Sequence, residues 1–227
     1  MTMTKELIKD SEECILWKQG RGWVYQLLID FLGNPPSLSL IAQWRAHIVT
    51  REESLLTEGG QLLKSYLTNI MPGQLGVVCE VEKAEYQRLF NCMHPIFPSL
   101  CESEYVSNMR GKNVDYTAAI REFYVQSGIA FNKLNHEQDD NIWIELEYMA
   151  ILAERTSDDR RIRTAQLELI DDQIRFLEDH LIKWMPSFGE NLVGLAQSPI
   201  YKAIGSVLRD FIPHDIAMLR SWKEHLS

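Results

Sequence analysis

The sequence predicts an all-α protein, a single-domain helical bundle spanning residues 1–227. Three observations carry this. Apolar residues recur at helical spacing along nearly the whole chain, sustained two-residue alternation is missing, and Pro or Gly punctuates the periodic runs. At 227 residues with 45% apolar content, the chain has enough material for a sizeable buried core.

Val24, Leu27, Leu28 and Phe31 follow the i, i+3, i+4, i+7 pattern of a first helix, stopped by Gly33-Asn34-Pro35-Pro36. Leu40, Ile41, Trp44 and Ile48 mark a second. Leu55, Leu62, Leu63, Tyr66 and Ile70 mark a third, ended by Pro72-Gly73. Gly76 to Val81 is the one stretch with a hint of strand alternation, and a helix from Glu82 to Phe90 follows it. His94 to Arg110, with Pro95 and Pro98, reads as an irregular loop. Ile120, Phe123 and Tyr124 place another helix, closed by Gly128. Ile142, Leu146, Met149, Ala150 and Ala153 share one helical face, as do Leu167, Ile170, Ile174, Leu177 and Leu181. Ser198-Pro199 is a favourable N-cap and first-turn pair. It opens a last helix with Ile200, Ile204, Val207, Leu208 and Phe211 inward.

Charge is distributed unevenly. The net charge is −9, yet Glu137 to Asp179 alone holds 13 acids against five arginines, a net −8. An acid excess argues against nucleic acid or an anionic membrane surface as partner, since both require a cationic footprint. No apolar run approaches a membrane span, and the N-terminus lacks the apolar core of a secretory signal. Cys14, Cys79, Cys92 and Cys101 form no regular pairing pattern, so reduced thiols and a cytoplasmic location are expected.

Motifs for catalysis and cofactors are missing. No Glu stands three residues before any of the six histidines, which removes the helical di-iron pattern. HExxH, GxxxxGK[ST] and GxGxxG do not occur. Cys92-x-His94 with Cys101 sketches a zinc site without a fourth ligand at a usual spacing. The expectation is no catalytic residue, no metal and no cofactor.

Three segments carry the remaining information. Tyr86-Gln-Arg-Leu89-Phe90 either caps the core or lines a peptide groove together with Glu102-Ser-Glu-Tyr105. In His136 to Met149, Asp139 or Asp140 can N-cap a helix. Alternatively, Glu137 and Asp140 face a groove and fork onto a ligand's guanidinium groups. His180, among Leu177, Leu181 and Trp184, reads as a packed, hydrogen-bonded histidine.

In this order the segments resemble the TorD/DmsD/NarJ-like cytoplasmic chaperones of molybdoenzymes. The resemblance runs from about Arg21 to Phe211. It is carried by Arg21-x-x-x-Tyr25-x-x-Leu28, Tyr86-x-x-Leu89-Phe90, Glu102-Ser103-x-Tyr105, Tyr124-x-x-x-Gly128 and Glu137-Gln-Asp-Asp140-Asn141-Ile142. Glu145-Leu-Glu-Tyr-Met149, Phe176-Leu-x-x-His180-Leu-x-x-Trp184 and Ser198-Pro199-x-Tyr201 complete it. The resemblance implies a non-enzymatic chaperone of TorD-like fold. It would bind the twin-arginine signal peptide of a molybdoenzyme catalytic subunit and keep that client in the cytoplasm until its molybdenum cofactor is inserted. The implied peptide site is Leu89, Phe90, Asp140 and Asn141, with Glu137, Tyr86 and Tyr105 added. Monomers and homodimers are both compatible with the family. Gln138 and Asn141 stand where the family has Pro and His, and asparagine cannot carry a proton-dependent charge. A structural assembly subunit and a nucleotide-dependent maturation factor are the alternative functions.

Overall fold

The computed structural model describes residues 12–50, 57–97, 99–110, 116–131, 138–157 and 162–227. Among these residues there is no named strand; one isolated antiparallel bridge joins Cys101 to Asn141.

The last helix, α10 (Pro199–Leu226), organises the packing. Ser198 caps it, its Oγ accepting from the Tyr201 N–H at 3.1 Å, and Pro199 follows in the first turn where no donor is needed. All five residues read as its inner face are buried. Helices α9 (Met185–Leu195), α8 (Arg163–Asp179) and α3 (Glu58–Asn69) pack on it, as does α1 (Glu12–Leu32). Two of these crossings are backbone-close. A Cβ on Gly205 would lie 2.8 Å from the Gly189 carbonyl oxygen and 2.9 Å from the Val193 nitrogen, and one on Gly59 would lie 2.6 Å from the Val207 nitrogen. Side chains at these positions would wedge α9 and α3 away from α10.

Helix α1 carries a buried stripe of Trp17, Arg21, Val24, Tyr25, Leu28 and Phe31, spaced to fall on one face. It packs against α7 (Ile142–Thr156), which is buried on most of its circumference, and α7 in turn contacts α8. Inside this stripe Arg21 makes a two-pronged bond to Asp215 of α10, at 2.9 and 2.7 Å. Tyr25 and Trp17 also donate to Asp215, both at 2.7 Å. Arg21 further donates to Gln173 of α8, and Gln173 donates to Thr156 of α7. A single closed polar network therefore joins α1, α7, α8 and α10, with every charged atom satisfied.

Helix α2 (Leu38–Thr50) starts at Ser37, whose Oγ accepts from the Leu40 N–H, and contacts α3 and α4 (Leu75–Tyr86). Helix α6 (Tyr116–Gln126) ends in a turn at Gly128, which adopts φ 64°, the left-handed region that favours glycine.

Four readings of local structure are corrected. Gly76 to Val81 is helix, part of α4, with Cys79, Glu82 and Tyr86 inward at i, i+3, i+7. Its exposed Val77 and Val81 supplied the misleading alternation. Glu102–Arg110 is helix α5 rather than loop; its cap comes from a distant residue, so no local start signal marks it. Leu62 lies on the outer face of α3, 55% exposed, while Leu63 and Leu67 point inward; Leu55 lies outside the described residues. Leu181 is buried but lies beyond α8, in a short 3-10 turn after His180.

Candidate functional site

Five of the implied peptide-binding residues, Tyr86, Leu89, Phe90, Asp140 and Asn141, lie on two elements, while Tyr105 lies on α5. The first is the end of α4, which widens into a π-type turn over Gln87–Asn91. There the Leu89 carbonyl accepts from the Phe97 N–H at 2.8 Å and the Arg88 carbonyl from Ile96. The second is the turn at Asp139-Asp140-Asn141 before α7. The Asp140 carbonyl accepts from the Glu102 N–H at 2.9 Å, and the Leu100 carbonyl accepts from the Ile142 N–H at 2.8 Å. Residues 96 and 97 are thus bonded to the leucine–phenylalanine motif, and residues 100, 102 and 103 to the acidic motif.

Asn141, not Asp139 or Asp140, caps α7: its side-chain oxygen accepts from the Trp143 N–H at 3.3 Å. Asp140 caps α5 instead, its Oδ2 accepting from the Ser103 N–H at 2.9 Å. Asp139 pairs with Arg121 of α6 at 2.6 Å. Leu89 and Asp140 are fully buried and Tyr86 nearly so, whereas Phe90, Tyr105 and Asn141 are partly exposed. Glu137 lies outside the described residues, as do His136 and the four residues 158–161. Phe90 packs on Phe97 and Tyr201; Phe97 packs on Phe188, and Tyr105 on Phe188 and Trp184. Tyr105 Oη also accepts from Asn191. Phe97, Trp184, Phe188 and Tyr201 thus form an aromatic floor under Phe90 and Tyr105.

Beneath the segment from Leu100 to Glu104 lies a polar cluster that sequence reading did not find. Glu102 is fully buried and its Oε2 sits 2.7 Å from Nδ1 of His180. Glu145, one α-helical turn after Ile142, is also fully buried, with Trp184 Nε1 donating to it at 3.4 Å. One oxygen each of Glu102, Asp140 and Glu145 has no hydrogen-bond partner. Burial raises the Glu145 pKa well above the carboxylate range, and the negative charges of Glu102 and Asp140 raise it further. The sequence signal was present: Glu145 occupies an i+3 position on the Ile142–Leu146–Met149 stripe. His180 is packed and hydrogen-bonded, as its apolar neighbours imply.

The other acids of the charged stretch are largely engaged. Asp171 pairs with Lys223 and Glu178 with Arg220, both cations on α10; Asp172 and Asp179 pair with Arg175 and Lys183. The segment that is −8 in sequence is thus partly neutralised in space by residues some 40–50 positions downstream. Cys92 and His94 are exposed while Cys101 is buried. Among the described residues no group of three or more His, Cys, Asp or Glu is placed to hold a metal ion, and no helix is long and apolar enough to cross a membrane.

The fold and this site define an all-helical protein whose chemistry-bearing side chains cap helices and anchor the segment from Leu100 to Glu104. A model of the nitrate reductase delta subunit family matches residues 56–190, well over half of the chain, and the chain belongs to that family. This is the family group to which the ordered motifs point. Two curated relatives, each named chaperone protein TorD, come from Vibrio cholerae serotype O1 strains O395 (ATCC 39541, Classical Ogawa 395) and M66-2. Each is 29% identical over 97 residues, which is 42% of this chain and 43% of the relative. The matched stretch therefore spans less than half the length of these relatives.

Proposed function

We propose that this protein is a non-enzymatic cytoplasmic chaperone that binds the twin-arginine signal peptide of a molybdenum-cofactor oxidoreductase and retains it until the cofactor is inserted. Family membership and the two relatives named as chaperones support the class. One observation carries the site: residues 96 and 97 are bonded to the turn of Leu89 and Phe90, and residues 100, 102 and 103 to the turn of Asp140 and Asn141, beside the aromatic floor under Phe90 and Tyr105. An apolar signal segment suits that floor. Asp140 Oδ1, buried and without a partner, is the acceptor a guanidinium would take once the segment from Leu100 to Glu104 lifts. Asn141 can hydrogen-bond a peptide but holds no charge, so its contribution is independent of pH.

Calorimetric titration with a twin-arginine peptide and its Lys-Lys counterpart tests the reading. Preference for arginine supports it; equal affinity, or no binding to either, overturns the arginine pairing.

The family takes its name from a delta subunit of nitrate reductase, which favours one second reading: a structural assembly subunit that stays in the finished enzyme. Purifying the mature oxidoreductase separates the two, because a chaperone is missing from it and a subunit co-elutes.

A further inference from the structure

Glu102, Asp140 and Glu145 form an unusual buried group. All three are fully buried, each leaves one oxygen without a donor, and Glu145 feels the charge of the other two. Three carboxylates converge from three places: the start of α5, the turn before α7, and α7 itself. The groups around them supply little compensation. His180, at the end of α8, serves Glu102. Trp184 donates one long bond to Glu145. Tyr124 of α6 donates to the Asp139 carbonyl, and Arg121 of the same helix is paired with Asp139. The Cys101 thiol is pushed up to about 11, first by burial and then by the charge of Asp140, with Glu104 and Glu145 adding to it; a hydrogen bond with Ser99 works the other way. Among the described residues, no guanidinium or ammonium pairs with Glu145. Three ionised carboxylates in such a place carry a heavy cost, because isolated buried charge is expensive.

We propose that this cluster is a proton-held latch: one proton, resident on Glu145, keeps the segment from Leu100 to Glu104 docked on the turn before α7. The proton removes one of three like charges from a buried place. The latch holds the roof of the aromatic floor, since the segment includes Glu102 and Ser103, bonded to Asp140, and runs directly into Tyr105 on Trp184 and Phe188. When the segment opens, Glu145 meets water and reverts to ordinary carboxylate behaviour, so opening releases the proton. Raising the pH therefore favours opening, until Glu145 ionises in the closed form as well.

The claim concerns the free protein, so a failure of peptide binding leaves it untouched. The test is amide hydrogen exchange at Glu102, Ser103 and Ile142, corrected for intrinsic rates and referenced to amides of α10. Wild type should lose protection as pH rises above the ordinary carboxylate range, by up to about tenfold per pH unit, the signature of one linked proton. Glu145→Gln, which cannot ionise and keeps an acceptor for Trp184, should show a clearly weaker dependence on pH. The same pH dependence in both proteins overturns the latch. A second measurement on wild type guards against a variant that fails to fold. Carbon-13 NMR of the side-chain carboxyls should find Glu145 still protonated at a pH where the exposed carboxyls of the same protein have ionised, and its ionisation together with them overturns the proposal.

Discussion

Glu82 makes the sharpest stability prediction. It is fully buried on α4, its Oε2 accepts from Ser198 Oγ at 2.6 Å, and its other oxygen has no partner. Burial raises its pKa from 4.5 to about 7; the Ser198 hydrogen bond works in the opposite direction, and the neighbouring charge of Glu85 adds to the rise. The folded protein thus holds this proton more tightly than the unfolded chain. Stability is unaffected below pH 4.5, falls as pH climbs from 4.5 to about 7, and carries the full penalty above that. Moving the pKa from 4.5 to about 7 at ~1.4 kcal/mol per pH unit gives a ceiling of about 3.5 kcal/mol. Glu82→Gln removes the ionisation and keeps an oxygen for Ser198. It also loses the attraction of a carboxylate to the α10 N-terminus, about 0.3–1 kcal/mol, leaving a net gain of about 2.5–3 kcal/mol at pH 8. Urea denaturation of both proteins at pH 5 and pH 8 measures this. The variant should match wild type at pH 5 and exceed it by about 2.5–3 kcal/mol at pH 8. A variant less stable at pH 8, or a gap that does not grow with pH, refutes the reasoning.

Other sites give independent checks. Arg21→Met leaves Asp215 charged and buried, and chemical denaturation should show a loss of about 3–5 kcal/mol. Gly205→Ala puts a methyl group against the backbone of α9 and should cost about 1–3 kcal/mol, seen as a lowered Tm with unchanged circular dichroism at 20 °C. Asn141→Ala removes the α7 cap and should cost about 1 kcal/mol, measured by chemical denaturation.

Local chemistry made most of the helices readable. Ser198-Pro199 and Gly128 announce their ends, and the buried stripes of α1, α7 and α10 follow their apolar spacing. Partners far apart in sequence were not readable. Nothing near Asp140 signals that its side chain caps α5, 37 residues upstream, and so α5 looked like loop. The fork between Arg21 and Asp215 spans 194 positions. The acidic stretch reads as a net −8 because its cations, Arg220 and Lys223, lie on a helix that only folding brings near. In the candidate site, Leu89 and Phe90 fall on one turn and Asp140 and Asn141 on another, while Glu102, Glu145 and His180 become a cluster only in three dimensions.

The central claim is that a client's arginine pairs with Asp140, and a double-mutant cycle tests it most directly. Wild type and Asp140→Asn, which keeps an oxygen for the Ser103 N–H, are each titrated with the twin-arginine peptide and its Lys-Lys form. The account predicts that Asp140→Asn weakens the arginine peptide much more than the lysine one, with a coupling of at least ~1.5 kcal/mol, about tenfold in Kd. Equal losses for the two peptides, a coupling near zero, contradict it.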